Sequence, residues 1–145
     1  QAQVLHTPGH TLGHIVYHFA AAQKAFVGDT LFAMGCGRLF EGSPQQMWAS
    51  LSRLRDWPEE TVIYCSHEYT QANARFALIL YACNAELQAP AQLLDALRAS
   101  GVFTVPTTIP FALATYPFLR SAYAVSSTLL PPHASPSHLF SRLLL

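Results

Sequence analysis

Hydrophobic and polar positions change period several times along the chain, and each change marks an element. In GHIVYHF (residues 13–19), Ile15, Tyr17 and Phe19 alternate with Val16 and His18, the period-two pattern of a strand. AAAQ (20–23) reads as a turn, and KAFVGDTLF (24–32) as a second strand broken at Gly28-Asp29; the pair predicts a hairpin. GCGRLFEG (35–42) has three glycines and predicts a loop with unusual backbone angles. The period then lengthens: Met47, Leu51 and Leu54 form a helical stripe. Ser43 is a good N-cap for this helix, Pro44 suits its first position, Gln46 completes a capping box, and Pro58 stops it. TVIYCSH (61–67) is a β-branched run that predicts a buried strand with His67 at its carboxyl end. TQANARFALILYACN (70–84) predicts a helix with Thr70 as a cap, and PAQLLDALRASG (90–101) a further helix, with Pro90 at its start and Gly101 at its end. Beyond Gly101 no period is sustained, and TVPTTIPFALATYPFLR reads as loop; from Ser126 onward the chain is rich in Ser, Pro and Leu, with no fold to assign. Strands interleaved with helices make this an α/β chain.

Composition narrows the function classes. The 145 residues suit one domain by length, long enough to bury a core. The formal net charge is zero, which argues against a nucleic-acid partner recruited by bulk electrostatics. Charged residues are 11% of the chain, low against roughly 25% in soluble domains. A surface so poor in charge is either short of solubility or partly meant to be covered. The longest apolar run, FALILYAC (76–83), is far short of the about twenty residues a bilayer span needs, so no membrane segment is expected. Cys36, Cys65 and Cys83 form no CxxC pair, which favours a reducing, cytoplasmic compartment. No signal-peptide pattern is visible, and the first residue is Gln rather than Met, as expected of a partial sequence.

The candidate chemistry lies at the ends of the predicted strands. His10, Asp29 and His67 are polar residues in or beside strand-end loops, where loops of α/β folds converge. Imidazole and carboxylate together suit zinc, iron or manganese, and a carboxylate can bridge two ions. Taken singly, each has a plainer reading: a surface histidine, or an aspartate bracing a turn. HTPGHTLGHIVYH (6–18) holds four of the seven histidines, with different expected roles. His10 follows the flexible Gly9, His14 is placed to orient a ligand from behind, and His6 and His18 serve packing or solvent. Cys65 reads as a buried inert thiol; Cys36, between two glycines, is a candidate for reactivity with Arg38 as its one basic neighbour, against the plainer reading as a structural thiol. Arg38 is an anion-binding candidate and Tyr69 a hydroxyl donor, against plain readings as a solvated arginine and a packed tyrosine.

HTPGHTLGHIVYH, FVGDTLFAMGCGRLFEGSPQQM and VIYCSHEYTQANARFA together resemble glyoxalase II, the hydroxyacylglutathione hydrolases of the metallo-β-lactamase superfamily. TPGHT and GDT point to the superfamily, and GCGRLFEG and HEYT to the branch. The likeness runs from about Leu5 to Asn84 and resumes in LRASGVFTVPTTIPFALATYPFLR. It implies the C-terminal half of an αββα sandwich (residues 1–84), part of a helical C-terminal region (85–125) and a divergent tail (126–145). It also implies hydrolysis of S-lactoylglutathione to glutathione and D-lactate by a metal-bound hydroxide at a centre of two divalent ions, zinc first, with iron or manganese as alternatives. His10 and His67 would be terminal ligands, Asp29 the bridging and catalytic carboxylate, His14 a supporting residue, and Arg38 and Tyr69 contacts to glutathione.

Departures from the family pattern bear on activity. The family's first metal motif, THxHxDH, does not occur in the chain, so the resemblance implies a C-terminal part that is inactive alone. Ser66 stands where the family has Gly, Phe40 where some members have Tyr, and Ala112 and Tyr116 where Glu and Asn are usual. Two other readings stay open: a persulfide dioxygenase of the same superfamily, and a non-catalytic remnant. The oligomeric state is not readable from the sequence.

Overall fold

The computed structural model describes residues 1–80, 85–116 and 119. Five strands form one sheet in the order β1-β2-β3-β6-β7: β1 (Gln3–His6), β2 (Ile15–Phe19), β3 (Lys24–Gly28), β6 (Val62–Cys65) and β7 (Thr107–Thr108). A two-stranded ribbon, β4 (Leu31–Phe32) and β5 (Gly35–Cys36), stands beside it. The expected hairpin forms between β2 and β3, closed by one 3-10 turn over Ala20–Ala22 and by Gln23 in the left-handed region. The predicted strand over 24–32 divides at Gly28, whose φ of +52° ends β3 and turns the chain into Asp29.

One face of this sheet is covered. Helix α1 (Pro44–Arg55) starts with the full capping box: Ser43 Oγ accepts from the Gln46 N–H, and the Gln46 side chain accepts from the Ser43 N–H. Its stripe of Met47, Leu51 and Leu54 packs on Val16, Ala25, Val27 and Ile63, all fully buried. Because α1 carries the chain from β3 to β6, those two strands lie parallel and their carboxyl ends emerge side by side. That crossover is the feature that assembles the site.

Among the described residues, the opposite face presents an exposed apolar row. Val4, Tyr17, Phe26 and Tyr64 are successive register partners across β1, β2, β3 and β6, and Phe26 stacks on Tyr64 at 5.1 Å. Val4, Tyr17 and Phe26 are 59%, 44% and 47% exposed, a continuous apolar row across the sheet.

Helices α2 (Thr70–Leu80) and α3 (Ala85–Ala99) build a second core from Ala74, Ala77, Leu87, Ala91 and Leu94, with Met34 from the ribbon turn. Pro90 lies inside α3 rather than at its start. Burial of Leu87 against α2 extends the helix ahead of the proline, which gives up one backbone bond there. Gly101 closes α3 as expected: with φ +75°, its N–H donates to the Arg98 carbonyl and that of Val102 to Leu97, a Schellman closure.

Three further elements differ from the sequence reading. β1 was not foreseen, because QVLH has too few residues to display a period; it exists through pairing with β2. The stretch beyond Gly101 is not all loop: it makes β7, paired to β6, and α4 (Ile109–Thr115), capped by Thr108 with Pro110 in its first turn. The three prolines hid a helix that is short and held by burial of Ile109 and Ala112. The end of the predicted helix 70–84, Cys83, the end of the 85–125 region and the tail 126–145 lie outside the described residues.

Candidate metal centre

Asp29 occupies the first position after β3 and His67 the second after β6. The parallel register, with Gly28 opposite Cys65, therefore places them together, and the Ser66 N–H donates to the Gly28 carbonyl at 3.2 Å. His67 Nε2 lies 3.2 Å from Asp29 Oδ1, and His10 Nε2 lies 3.8 Å from Asp29 Oδ2. One carboxylate thus has an imidazole nitrogen facing each of its oxygens. The three residues that the sequence picks out as ligands are brought together, although they are 19 and 38 positions apart.

Each imidazole is aimed by a different device. His10 Nδ1 is 2.8 Å from the Arg38 carbonyl oxygen, which can only accept, so Nδ1 carries a proton and Nε2 is the nitrogen turned to Asp29. His67 is stacked on Tyr69 at 4.7 Å with planes 13° apart, and Phe32 packs edge-on against both rings. His14 lies behind the site. Its Nε2 accepts the Asp29 backbone N–H at 3.1 Å, and its Nδ1 meets the hydroxyls of Thr30 and Thr7 at 3.0 and 3.2 Å. Burial lowers the pKa of His14, with opposing help from Asp29 and a smaller push in the same direction from His10, which agrees with a neutral ring accepting from an amide.

The glycine loop works differently from expectation. Gly35, Gly37 and Gly42 all lack positive φ; what they provide is space. A Cβ on Gly37 would strike the Asp29 carbonyl and the His10 ring, one on Gly35 would sit 2.6 Å from Asn73 Nδ2, and one on Gly42 would sit 2.6 Å from Gly9. The loop is laced to the histidine loop by Phe40 N–H to the His10 carbonyl, Gly42 N–H to the Gly9 carbonyl, and Leu12 N–H to the Glu41 carboxylate. Gly9 itself, at φ +155°, has no room for a side chain against Met47.

Asp29, His10, His67, Arg38 and Tyr69 line one open cleft of about 1020 Å³, together with Asn73 and other residues. Arg38 contributes its carbonyl to His10 and an exposed guanidinium that pairs with no carboxylate among the described residues. The thiols are quiet. Burial pushes Cys36 up to about 12, against a smaller opposing effect of Tyr116, and burial raises Cys65, whose thiol donates to the His67 carbonyl. His6 bonds the Leu12 carbonyl and His18 stacks on Trp57 at 4.3 Å, so neither faces the cleft ligands. Sequence reasoning missed Thr7, Thr30, Glu41 and Asn73, all of which act through hydrogen bonds to residues distant in sequence. Ser66 also donates to Asp29 Oδ1, at 2.9 Å.

Among the described residues no group of three or more His, Cys, Asp or Glu side chains is arranged to hold a single ion. Tested as ligands to two ions, His10, Asp29 and His67 fit one imidazole and one carboxylate oxygen to each, two donors where a catalytic zinc takes three from protein. They make a partial donor set of the right chemistry. No helix among the described residues is long and apolar enough to cross a membrane.

A parallel strand pair presenting histidine and aspartate over a helix-backed sheet defines the class. The sequence pattern of the metallo-beta-lactamase superfamily matches residues 2–67, and that of the hydroxyacylglutathione hydrolase C-terminus matches residues 68–143. The chain is a metallo-β-lactamase superfamily protein. Within the superfamily it belongs to the hydroxyacylglutathione hydrolase family. It is 59% identical over 120 residues to the hydroxyacylglutathione hydrolase of Maricaulis maris, covering 83% of this chain and 47% of that one. Over 119 residues it is 55% identical to the enzyme of the same name from Methylococcus capsulatus, covering 82% and 46%. It also resembles TTHA1623, solved in a di-iron-bound form, with a TM-score of 0.54 and 28% identity, covering 81% of this chain and 42% of that one. The chain spans about half the length of the curated relatives it matches.

Proposed function

We propose that this chain carries the C-terminal half of a glutathione-thioester hydrolase centre acting on S-lactoylglutathione, and that it does not turn over substrate alone. The observation that carries this reading is the Asp29 carboxylate with His10 Nε2 and His67 Nε2 on its two oxygens. The relatives named hydroxyacylglutathione hydrolase support the substrate class.

In this reading His10, Asp29 and His67 would be this chain's ligands to two divalent ions. Zinc is the first candidate, with iron or manganese possible; the di-iron form of TTHA1623 keeps iron in view. When bound, such ions polarise the thioester carbonyl and lower the pKa of water. The protein's part is positioning. The Arg38 carbonyl fixes which nitrogen of His10 is free, and Tyr69 fixes the plane of His67. The Arg38 guanidinium and the Tyr69 hydroxyl stand on the cleft wall as contacts for a glutathione carboxylate and amide. No serine or cysteine nucleophile is needed, and the partly buried Cys36, whose raised pKa keeps it protonated, is no candidate for one. We assign residues 1–84 to the half-sandwich and 85–125 to the helical region, and place the protein in the cytoplasm on its three cysteines without a CxxC pair.

The test compares this chain with a protein that carries it together with a THxHxDH-bearing amino-terminal half. The longer protein should bind two divalent ions and release thiol from S-lactoylglutathione, and the chain alone should do neither. Oxygen uptake with glutathione persulfide, without thioester hydrolysis, would replace this reading with the dioxygenase. Inertness of the longer, metal-loaded protein toward both substrates would favour a non-catalytic remnant.

A further inference from the structure

We propose that Thr7 and Thr30 are positioning residues whose hydroxyls hold His14 as the Nδ1–H tautomer, so that its bare Nε2 anchors the backbone amide of Asp29. The inference rests on the reading of Asp29 as the bridging carboxylate for its consequence, and on hydrogen-bond geometry for its content.

A backbone N–H can only donate, so the contact of 3.1 Å from the Asp29 amide requires His14 Nε2 to be an unprotonated acceptor. The proton of the neutral ring is then on Nδ1. Thr30 Oγ1 and Thr7 Oγ1 lie 3.0 and 3.2 Å from that nitrogen and 3.0 Å from each other, and both threonines are completely buried. The three atoms form a closed triangle in which the hydroxyls receive the Nδ1 proton. Without them the ring is free to carry its proton on Nε2, and that tautomer repels the Asp29 amide instead of accepting from it.

The surrounding backbone is built for this ring. A Cβ on Gly28 would lie 2.8 Å from His14 Nε2, so the glycine before Asp29 makes the space that the imidazole fills. The Thr7 N–H donates to the His14 carbonyl at 2.8 Å, which holds the two ends of the 7–14 loop together. Thr7 and His14 flank His10 in sequence, and Thr30 follows Asp29. One buried triangle therefore ties the loop that carries His10 to the turn that carries Asp29, and sets where the carboxylate projects.

The experiment reads the imidazole nitrogens of His14 and the exchange of the Asp29 amide by NMR on the longer protein that joins this chain to a THxHxDH-bearing amino-terminal half, without added metal. The wild-type protein should show His14 protonated at Nδ1 at neutral pH, and an Nε2–H signal there overturns the proposal outright, with no variant needed. In Thr7→Val/Thr30→Val, His14 should change tautomer and the Asp29 amide should exchange roughly tenfold faster, the worth of one lost hydrogen bond. Thr7→Ser/Thr30→Ser should restore both signals. A folded valine variant with unchanged tautomer and exchange overturns the proposal; if that variant does not fold, the wild-type tautomer and the serine variant decide. Failure of thioester hydrolysis in the longer protein leaves these signals untouched, so the two readings fail separately.

Discussion

His67 Nε2 stands 3.2 Å from Asp29 Oδ1, across the parallel pair β3 and β6. The contact is a product of the crossover: α1 returns the chain so that two strand ends meet, with Asp29 just beyond one and Ser66 and His67 just beyond the other. In a protein that completes the centre, Asp29→Ala should abolish binding of two ions and lower thioester hydrolysis by more than about a hundredfold, since even outer partners of metal ligands are worth 10–100-fold. Metal content and thiol release measure this, and retention of full activity removes Asp29 from the site.

Gly37 tests whether the loop's glycines serve space. Its φ is unremarkable, yet a Cβ there meets the Asp29 backbone and the His10 ring. In the longer protein that completes the sheet, Gly37→Ala should destabilise the fold by about 1–3 kcal/mol, the usual range for overpacking. Urea denaturation gives the number. A stability equal to wild type would show that the loop can move aside freely.

The apolar sheet face predicts association. With Val4, Tyr17 and Phe26 in one exposed row, the isolated chain should self-associate at micromolar concentrations and lack a single sharp melt. Tyr17→Thr/Phe26→Thr should reduce the association. Light scattering from a wild-type chain that is monodisperse, monomeric and cooperatively melting would contradict the prediction.

His18 predicts a dependence on pH. The ring is buried against Trp57, Nδ1 has no hydrogen-bond partner among the described residues, and burial lowers the pKa from 6.5. The unfolded chain therefore binds this proton more readily than the folded one. The His18 contribution is complete above the unfolded value of 6.5 and is lost as pH falls through the lower folded value. Denaturation midpoints should drop on acidification, and His18→Phe, which keeps an aromatic ring on Trp57, should flatten the drop. Identical acid slopes for the two proteins would exclude His18 as the cause.

Much of this protein is legible in its sequence, for a physical reason that differs between elements. The alternation in 15–19, the capping box at Ser43 and the glycine at 101 are local codes: each is satisfied by neighbours within a few positions, so the chain states them outright. The choice of His10, Asp29 and His67 follows from residue chemistry at predicted strand ends. What the sequence cannot state is which residues become neighbours. β1, β7 and α4 are too short to carry a period and exist because partners bury or pair them. Pro90 is overridden by packing of Leu87, and the glycines of 35–42 are required by the approach of Asp29, Asn73 and Gly9 from elsewhere in the chain. The triangle of Thr7, Thr30 and His14 is the clearest case. Each residue is ordinary in sequence, and only the antiparallel pairing of β2 with β1 and with β3, together with the closure of the 7–14 loop, gives them a common task. Local hydrogen bonding and periodicity are written along the chain, whereas shape complementarity between distant segments comes into being only when the sheet assembles.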